Sequence, residues 1–268
     1  MTISTVASAM WKSPPSEETA GLDGDRAADL LSGTVQQVTS LSLRDRERMF
    51  RLLAENFTNT TRQRFEADLA EKEWVILLRG GQDGIIRGFS TLMQLDTQLE
   101  GRPVTAFFSG DTIIERDYWG QTVLPRLWSR HVFKLASAMS DRKVYWFLIC
   151  SGYKTYRFLP VFFSKFYPCY NHGTPAGIRQ LMDTLGESRY PLEYDSSAGV
   201  IRFIDSSALK QGIADITGQR LRDPHIAFFQ QVNPGHVRGD ELVCITEISP
   251  ANVTSAGKRM LGDGGRGR

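Results

Sequence analysis

The sequence predicts an α/β (α+β) protein with one mixed, mostly antiparallel central sheet flanked by helices. Three observations carry this. Apolar runs starting at Trp74, Ile85 and Val104 are separated only by short Gly, Asp and Pro turns, the spacing of antiparallel neighbours. A stretch of helical period, Leu124 to Met139, then leads to a further apolar run, Lys143 to Cys150. The composition, 41% hydrophobic and 23% charged, is that of an ordinary globular chain.

Taken in order, residues 1–40 are rich in Ser, Thr, Ala, Gly and Pro and read as a mobile arm, with at most one helical turn near Leu30. Ser42 is an N-cap with Asp45 three residues on, and Met49, Leu52, Leu53 and Phe57 share one face of the helix that follows. A second helix, from Arg62 to Lys72, places Phe65 and Leu69 one turn apart. Trp74 to Leu78 is the first strand. Gly80-Gly81 and Asp83-Gly84 turn it into a second strand beginning near Ile85, in which Phe89, Thr91, Met93 and Leu95 alternate with their neighbours. The turn at Glu100 to Pro103 leads to the third, Val104 to Ile114.

Leu124, Leu127, Trp128, Val132, Leu135 and Met139 follow helical spacing, with Thr122 as cap and Pro125 in the first turn, where a missing N–H is harmless. Lys143 to Cys150 is a buried strand ended by Ser151-Gly152. A short helix from Pro160 carries Val161, Phe162, Phe163 and Phe166, and Pro168 stops it. The remainder reads as a helix from Gly177 to Leu185 and strands at Gly199–Ile204, Ile226–Val232 and Leu242–Ile248. Turn signals stand at Asn233-Pro234-Gly235 and Gly239-Asp240, and a disordered tail runs over 261–268.

Several function classes drop out. A formal net charge of +2 supplies no field for nucleic acid or for wholesale membrane binding. No run of about 18 apolar residues exists, so no membrane span is expected. Val6 to Met10 is too short and polar for the apolar region of a secretory signal. Three distant cysteines, Cys150, Cys169 and Cys244, argue for a reducing, cytoplasmic setting rather than a disulfide framework. The Asn-x-Thr triplets at Asn56, Asn59 and Asn252 are then accidental. Cys169, His172, His225, His236 and Cys244 lack metal-ligand spacing, so no metal is expected. No Gly-x-Ser-x-Gly elbow, Walker loop or dinucleotide fingerprint is present.

The chemistry is expected where a loop leaves the third strand and opens a helix, Glu115-Arg116-Asp117-Tyr118-Trp119-Gly120-Gln121-Thr122. A helix start after a strand offers unpaired N–H groups and a partial positive charge to an anion. The order helix, helix, three strands, helix, strand, helix resembles the GNAT acyltransferase fold, over a donor-binding half at residues 41–172 completed by 173–260. Within that superfamily it is most similar to the divergent branch of long-chain N-acyl amino acid synthases and acyl-homoserine lactone synthases. The resemblance implies a GNAT-like sheet with two splayed strands, which form a cleft for the acyl donor. It also implies a phosphate-binding loop of the form Gln/Arg-x-x-Gly-x-Gly/Ala. Only Gly120 fits a glycine of that loop; Arg116 is one residue out of register and Tyr118 replaces the first glycine. The departure leaves either coenzyme A or the single phosphate of a carrier protein's phosphopantetheine as donor anchor.

The same resemblance assigns donor contacts to Ile113, Ile114, Arg116, Trp119, Gly120, Gln121 and Thr122. It makes Asp111 or Glu115 the base that takes the amine's proton. The tyrosine that would protonate the leaving thiolate is replaced by phenylalanine in Phe162-Phe163-Ser164-Lys165-Phe166-Tyr167. Tyr153 and Tyr156 are substitutes, with Lys154 and Arg157 beside them to favour the phenolate and to grip a phosphate or a carrier protein's acidic face. The implied activity is transfer of a medium or long acyl group from acyl-CoA or acyl-phosphopantetheine, a co-substrate rather than a prosthetic group, to a small amine or peptide. The alternative is a non-catalytic acyl- or partner-binding module on the same fold.

Overall fold

The structure is a computed structural model that describes residues 30–203 and 216–262. Its eight-stranded sheet comprises β1 (Leu31–Gln37), β2 (Trp74–Gly80), β3 (Ile86–Leu99), β4 (Arg102–Ile114), β5 (Lys143–Cys150), β6 (Tyr194–Asp195), β7 (Val200–Ile201) and β8 (Glu241–Glu247). The spatial order is β1-β2-β3-β4-β5-β8-β7-β6. Every pairing is antiparallel except β4 with β5. That parallel pair requires a crossover, supplied by α3 (Val123–Ser137).

Helices cover both faces. On one face Ile76, Leu78, Phe107, Val144 and Leu148 form a core with Leu124, Trp128 and Val132 of α3. The same core takes in Tyr153 and Tyr156 of α4 (Tyr153–Tyr156), Leu159 of α5 (Phe158–Phe162), and Ile226 and Phe229 from the C-terminal part. On the other face, α1 (Leu43–Asn56) and α2 (Arg62–Ala70) pack Met49, Leu52, Phe65 and Leu69 against Val75, Leu77, Phe89 and Ile113. Further along that face, α6 (Ala176–Arg189) packs Leu181, Met182 and Leu185 on Val104, Phe108, Phe147 and Ile245. Ser42 caps α1 as its spacing predicts: its hydroxyl accepts the Asp45 N–H at 3.1 Å. No helix among the described residues is long and apolar enough to cross a membrane.

Four expectations are corrected. Leu31–Gln37, read as part of a mobile arm, is an edge strand in register with all of β2. Its polar Ser, Gly, Thr and Gln content hides the strand, because an edge needs apolar residues on one face only. Residues 1–29, the end of the strand expected at Gly199–Ile204, and the tail over 263–268 lie outside the described residues. Ile226–Val232 is not a strand but lies in helix α7 (Pro224–Val232), started by Pro224 and by Asp223, whose carboxylate accepts the His225 N–H at 2.9 Å. The helix expected from Pro160 to Pro168 is instead two short turns, α4 and α5, ending at Phe162. Beyond it the chain is extended, and Tyr167 exchanges two backbone hydrogen bonds with Ile245 of β8. Finally, Leu261 and Gly262 are not tail: they close helix α8 (Ser255–Leu261), with Gly262 at φ +91°.

The extended segment after α5 is fixed by Asn252. Its amide nitrogen donates to the carbonyls of Lys165 (3.0 Å) and Glu247 (2.8 Å) and to the Thr246 hydroxyl (3.0 Å). Its amide oxygen accepts the Lys165 N–H at 2.8 Å. Asn252→Ala removes all of these partners at a buried site. It is expected to lower stability by at least about 2 kcal/mol, read as a shift of the urea unfolding midpoint at unchanged slope.

Candidate functional site

The parallel ladder between β4 and β5 runs from Val104–Lys143 to Phe108–Phe147 and stops. Both strands continue, but with other partners. β4 stays on β3 through Ile114, and β5 stays on β8 through Cys150. The register of β3 against β4 shifts between Ser90–Thr112 and Leu92–Ser109, so β4 carries an extra residue where it leaves β5. Such a bulge bends its strand. The two halves of the sheet therefore part in a V whose vertex lies at Phe108 and Ser109.

A narrow cavity lies in the V on the α3 face, with about 600 Å³ of space between its lining atoms when the solvent it opens to is included. Ser90, Ser109, Gly110 and Thr112 form one wall, Trp146 and Leu148 the facing one. Leu124, Pro125 and Trp128 of α3 lie above, and Thr155, Phe158, Phe162 and Phe163 close the side. The lining is mainly apolar with a few placed hydroxyls, the usual make-up of a small-molecule site. Ser90 and Thr112 share a hydrogen bond of 2.7 Å between their hydroxyls.

Strand parity tells which backbone groups face the gap. The Glu115 N–H donates to the Arg87 carbonyl at 2.8 Å. Antiparallel pairs alternate, so the N–H of Ile113 also points to β3 while those of Thr112 and Ile114 turn to the open side. The Ile114 carbonyl on that side receives the Trp119 indole N–H at 2.8 Å. Of the two isoleucines expected to contact a donor, Ile114 presents its backbone to the gap and Ile113 does not.

At the end of the V the loop makes a single tight turn over Arg116–Tyr118. It then passes through Gly120 at φ +96°, a conformation that favours glycine, and enters α3. Trp119 is pinned by its bond to Ile114 and carries two cations over its ring, Lys154 at 4.6 Å and Arg116 at 5.5 Å. The Gln121 side-chain oxygen accepts the Leu31 N–H of β1 at 2.9 Å, so this residue anchors the loop to the sheet edge. Thr122 stands at the N-cap position, but its side chain makes no cap bond. Its ψ of 7° departs from the extended backbone that side-chain capping uses.

The expected proton-transfer residues are not brought together. Asp111 lies in the bulge and is buried, 2% exposed. Glu115 is held between two guanidinium groups, Arg48 and Arg87, the latter at 3.3 Å, and does not line the cavity. Tyr156 is fully buried and donates its hydroxyl to the Pro168 carbonyl at 2.9 Å; burial pushes its phenol pKa far up. Tyr153 is buried beneath the Arg220 guanidinium, 5.3 Å from its ring. Of this turn it is Thr155, between the two tyrosines, that reaches the cavity. Arg157 is paired with Asp223 at 3.3 Å; it and Lys154 line a second, small pocket with Phe158, Val161 and Phe162, and neither lines the cavity in the V.

Sequence reasoning missed Ser109, Trp128 and Trp146 as site residues, since the tryptophans fit the apolar periodicity of core positions. A lone serine between Phe107-Phe108 and Gly110 on a buried strand was the available signal. It also missed a charged cluster behind β4. Lys72, buried completely along its side chain, pairs with Asp68 at 2.8 Å, and Arg189 reaches Asp68 at 3.3 Å. Burial pushes the Asp68 carboxyl upward, against the pull of Lys72.

No family model matches the chain, and no curated protein does. Solved structures resemble it in part. A probable N-acyltransferase of unknown function from Enterococcus faecalis is 15% identical over 50% of this chain and 33% of that one, with a TM-score of 0.39. Glucosamine-6-phosphate N-acetyltransferase from Arabidopsis thaliana is 14% identical over 44% and 82%, with a TM-score of 0.34. Saccharomyces cerevisiae N-myristoyltransferase with bound myristoyl-CoA is 12% identical over 51% and 35%, with a TM-score of 0.34. This chain thus spans about a third of the first and third of these proteins.

Gly110 separates the cavity from the charged cluster: a Cβ there would stand 2.8 Å from Lys72 Cε and closer still to the Thr91 hydroxyl. Gly110→Ala is expected to destabilise by about 1–3 kcal/mol through overpacking, measured by denaturant unfolding, with Gly173→Ala as a control in open space.

Proposed function

We propose that this chain is an acyltransferase of the GNAT kind. It moves a medium or long acyl group from a thioester donor, on coenzyme A or on a carrier protein's phosphopantetheine, to an amine acceptor. One observation carries the reading: β4 and β5 part at Phe108–Phe147 and the gap between them opens into an apolar cavity. A thioester has a compatible shape, with a flat polar arm that can pair with strand backbone and an apolar chain that needs a dry pocket.

In this reading the pantetheine arm runs along the free side of β4, against the backbone of Thr112 and Ile114. The acyl chain enters the cavity toward the vertex. The donor's phosphate lies at the start of α3, where the helix end attracts an anion and Lys154 and Arg116 flank Trp119. A backbone N–H on the gap side of β4 polarises the thioester carbonyl, an interaction worth about a hundredfold or more in rate. The amine nitrogen then bonds to the carbonyl carbon, the carbon–sulfur bond breaks, and the amine's proton passes to a base. Asp111, beside the cavity-lining Gly110 and Thr112 but not itself in the lining, is the base in this reading and acts through water; Glu115 is engaged by Arg48 and Arg87. The departing thiolate, with an ordinary thiol pKa of about 8.5, takes its proton from water, since neither Tyr153 nor Tyr156 lines the cavity.

The second reading, an acyl-binding module without turnover, is favoured by the same engagement of Glu115 and Tyr156. Incubation with acyl thioesters of graded length and a mixture of amines, scored by mass spectrometry, separates the two. Transfer supports the enzyme, binding without transfer supports the module, and binding of no thioester defeats both. The double variant Arg116→Ala, Lys154→Ala is expected to raise the donor KM by about tenfold through loss of charge-assisted contacts. Its kcat should stay within about threefold of the parent value in steady-state assays.

A further inference from the structure

Ser109 is the first residue of β4 beyond the last pair with β5, so it stands at the vertex of the V. Trp128 comes from α3 and Trp146 from β5, on different walls of the cavity. Their rings meet at 4.3 Å between centroids. Both indole N–H groups donate to the same atom, Ser109 Oγ, at 3.0 and 2.9 Å. A hydroxyl oxygen has two acceptor lone pairs and an indole has a single donor. The three side chains therefore saturate one another's N–H and lone pairs, and each ring has one orientation in which its N–H is paired. The Phe163 ring lies against Trp146, tilted by 50° with centroids 5.9 Å apart.

We infer that Ser109, Trp128 and Trp146 form a rigid stop that sets the length of acyl chain the cavity admits. The inference rests on the acyl-transfer reading for its substrate, and on the cavity's geometry alone for its mechanics. A chain descending between β4 and β5 meets two locked rings spanning the gap from helix to strand, rather than aliphatic side chains free to change rotamer. Swinging either ring aside breaks its bond to Ser109 and leaves a buried donor unpaired. That disfavours the open arrangement by roughly tenfold to a hundredfold. The two indoles are 8% and 7% exposed, and both line the cavity. A ligand in the cavity therefore touches the stop directly.

The test uses the full chain and saturated fatty acids of about six to about sixteen carbons as probes of the cavity, titrated by calorimetry. Affinity is expected to rise about fourfold for each added methylene that fits and to level or fall at a definite length. Trp128→Leu and Ser109→Ala are expected to move that limit to longer chains by at least two carbons. Trp146→Phe, which keeps a ring but loses the N–H, guards against a variant that does not fold, with circular dichroism as the check. Folded variants whose limit coincides with that of the parent would overturn the inference, and so would a parent that binds no fatty acid. Acyl-CoA turnover is run in parallel. A limit that moves while no thioester is turned over sinks the enzyme reading and leaves the stop standing. Turnover with an unmoved limit does the reverse.

Discussion

The parallel ladder of β4 and β5 lasts five residue pairs and then ends although neither strand does. The site depends on that interruption. Backbone N–H and C=O groups left without a ladder must find other partners, and here one strand edge is turned toward a cavity. β4 can leave β5 because it keeps its hold on β3, and the bulge between Ser109 and Thr112 supplies the bend. β5 can leave β4 because β8 pairs with it up to Cys150. Each half of the sheet stays intact, so the gap costs few hydrogen bonds.

Two chemically different environments meet at this gap. The α3 face is apolar and aromatic, with the hydroxyls of Ser90 and Thr112 tied to each other and that of Ser109 to the indoles. The face behind Gly110 holds the buried pair Lys72 and Asp68, with the partly buried Arg189 also bonded to Asp68. A buried ion pair is poor evidence of stability, because its desolvation offsets much of the attraction. Its position beside the bulge is the more informative fact. One residue without a side chain, Gly110, lets the two environments approach each other across a single strand.

Much of this was legible in the sequence. The central strands, the crossover helix and the Ser42 cap follow from period, turn chemistry and capping spacing. The position of the loop at Arg116–Thr122 follows from a strand meeting a helix. Other features were not legible, for definable reasons. β1 is polar because only one of its faces meets a core. Ile226–Val232 has the β-branched and aromatic content of a strand, but Asp223 and Pro224 start a helix there. The bonding partners of two proton-transfer candidates were hidden for a different reason. Periodicity places Tyr156 and Glu115 near the right strand ends, yet it carries no information on which neighbour a side chain bonds. Tyr156 found the Pro168 carbonyl, and Glu115 found two arginines. Ser109, Trp128 and Trp146 escaped notice because two tryptophans in apolar periodicity look the same whether they fill a core or wall a cavity.

The bond from the Leu31 N–H to Gln121 ties β1 to the loop that opens α3. The outermost strand thus acts as a latch as well as a cover. It shields the unpaired edge of β2, which would otherwise be open to association with other chains. Its first residue also holds the loop nearest Trp119, on the far side of the sheet from β5. Shortening or tagging the chain close to residue 31 therefore perturbs the distant loop that opens α3. Boundaries chosen for expression or fusion belong well upstream of that strand.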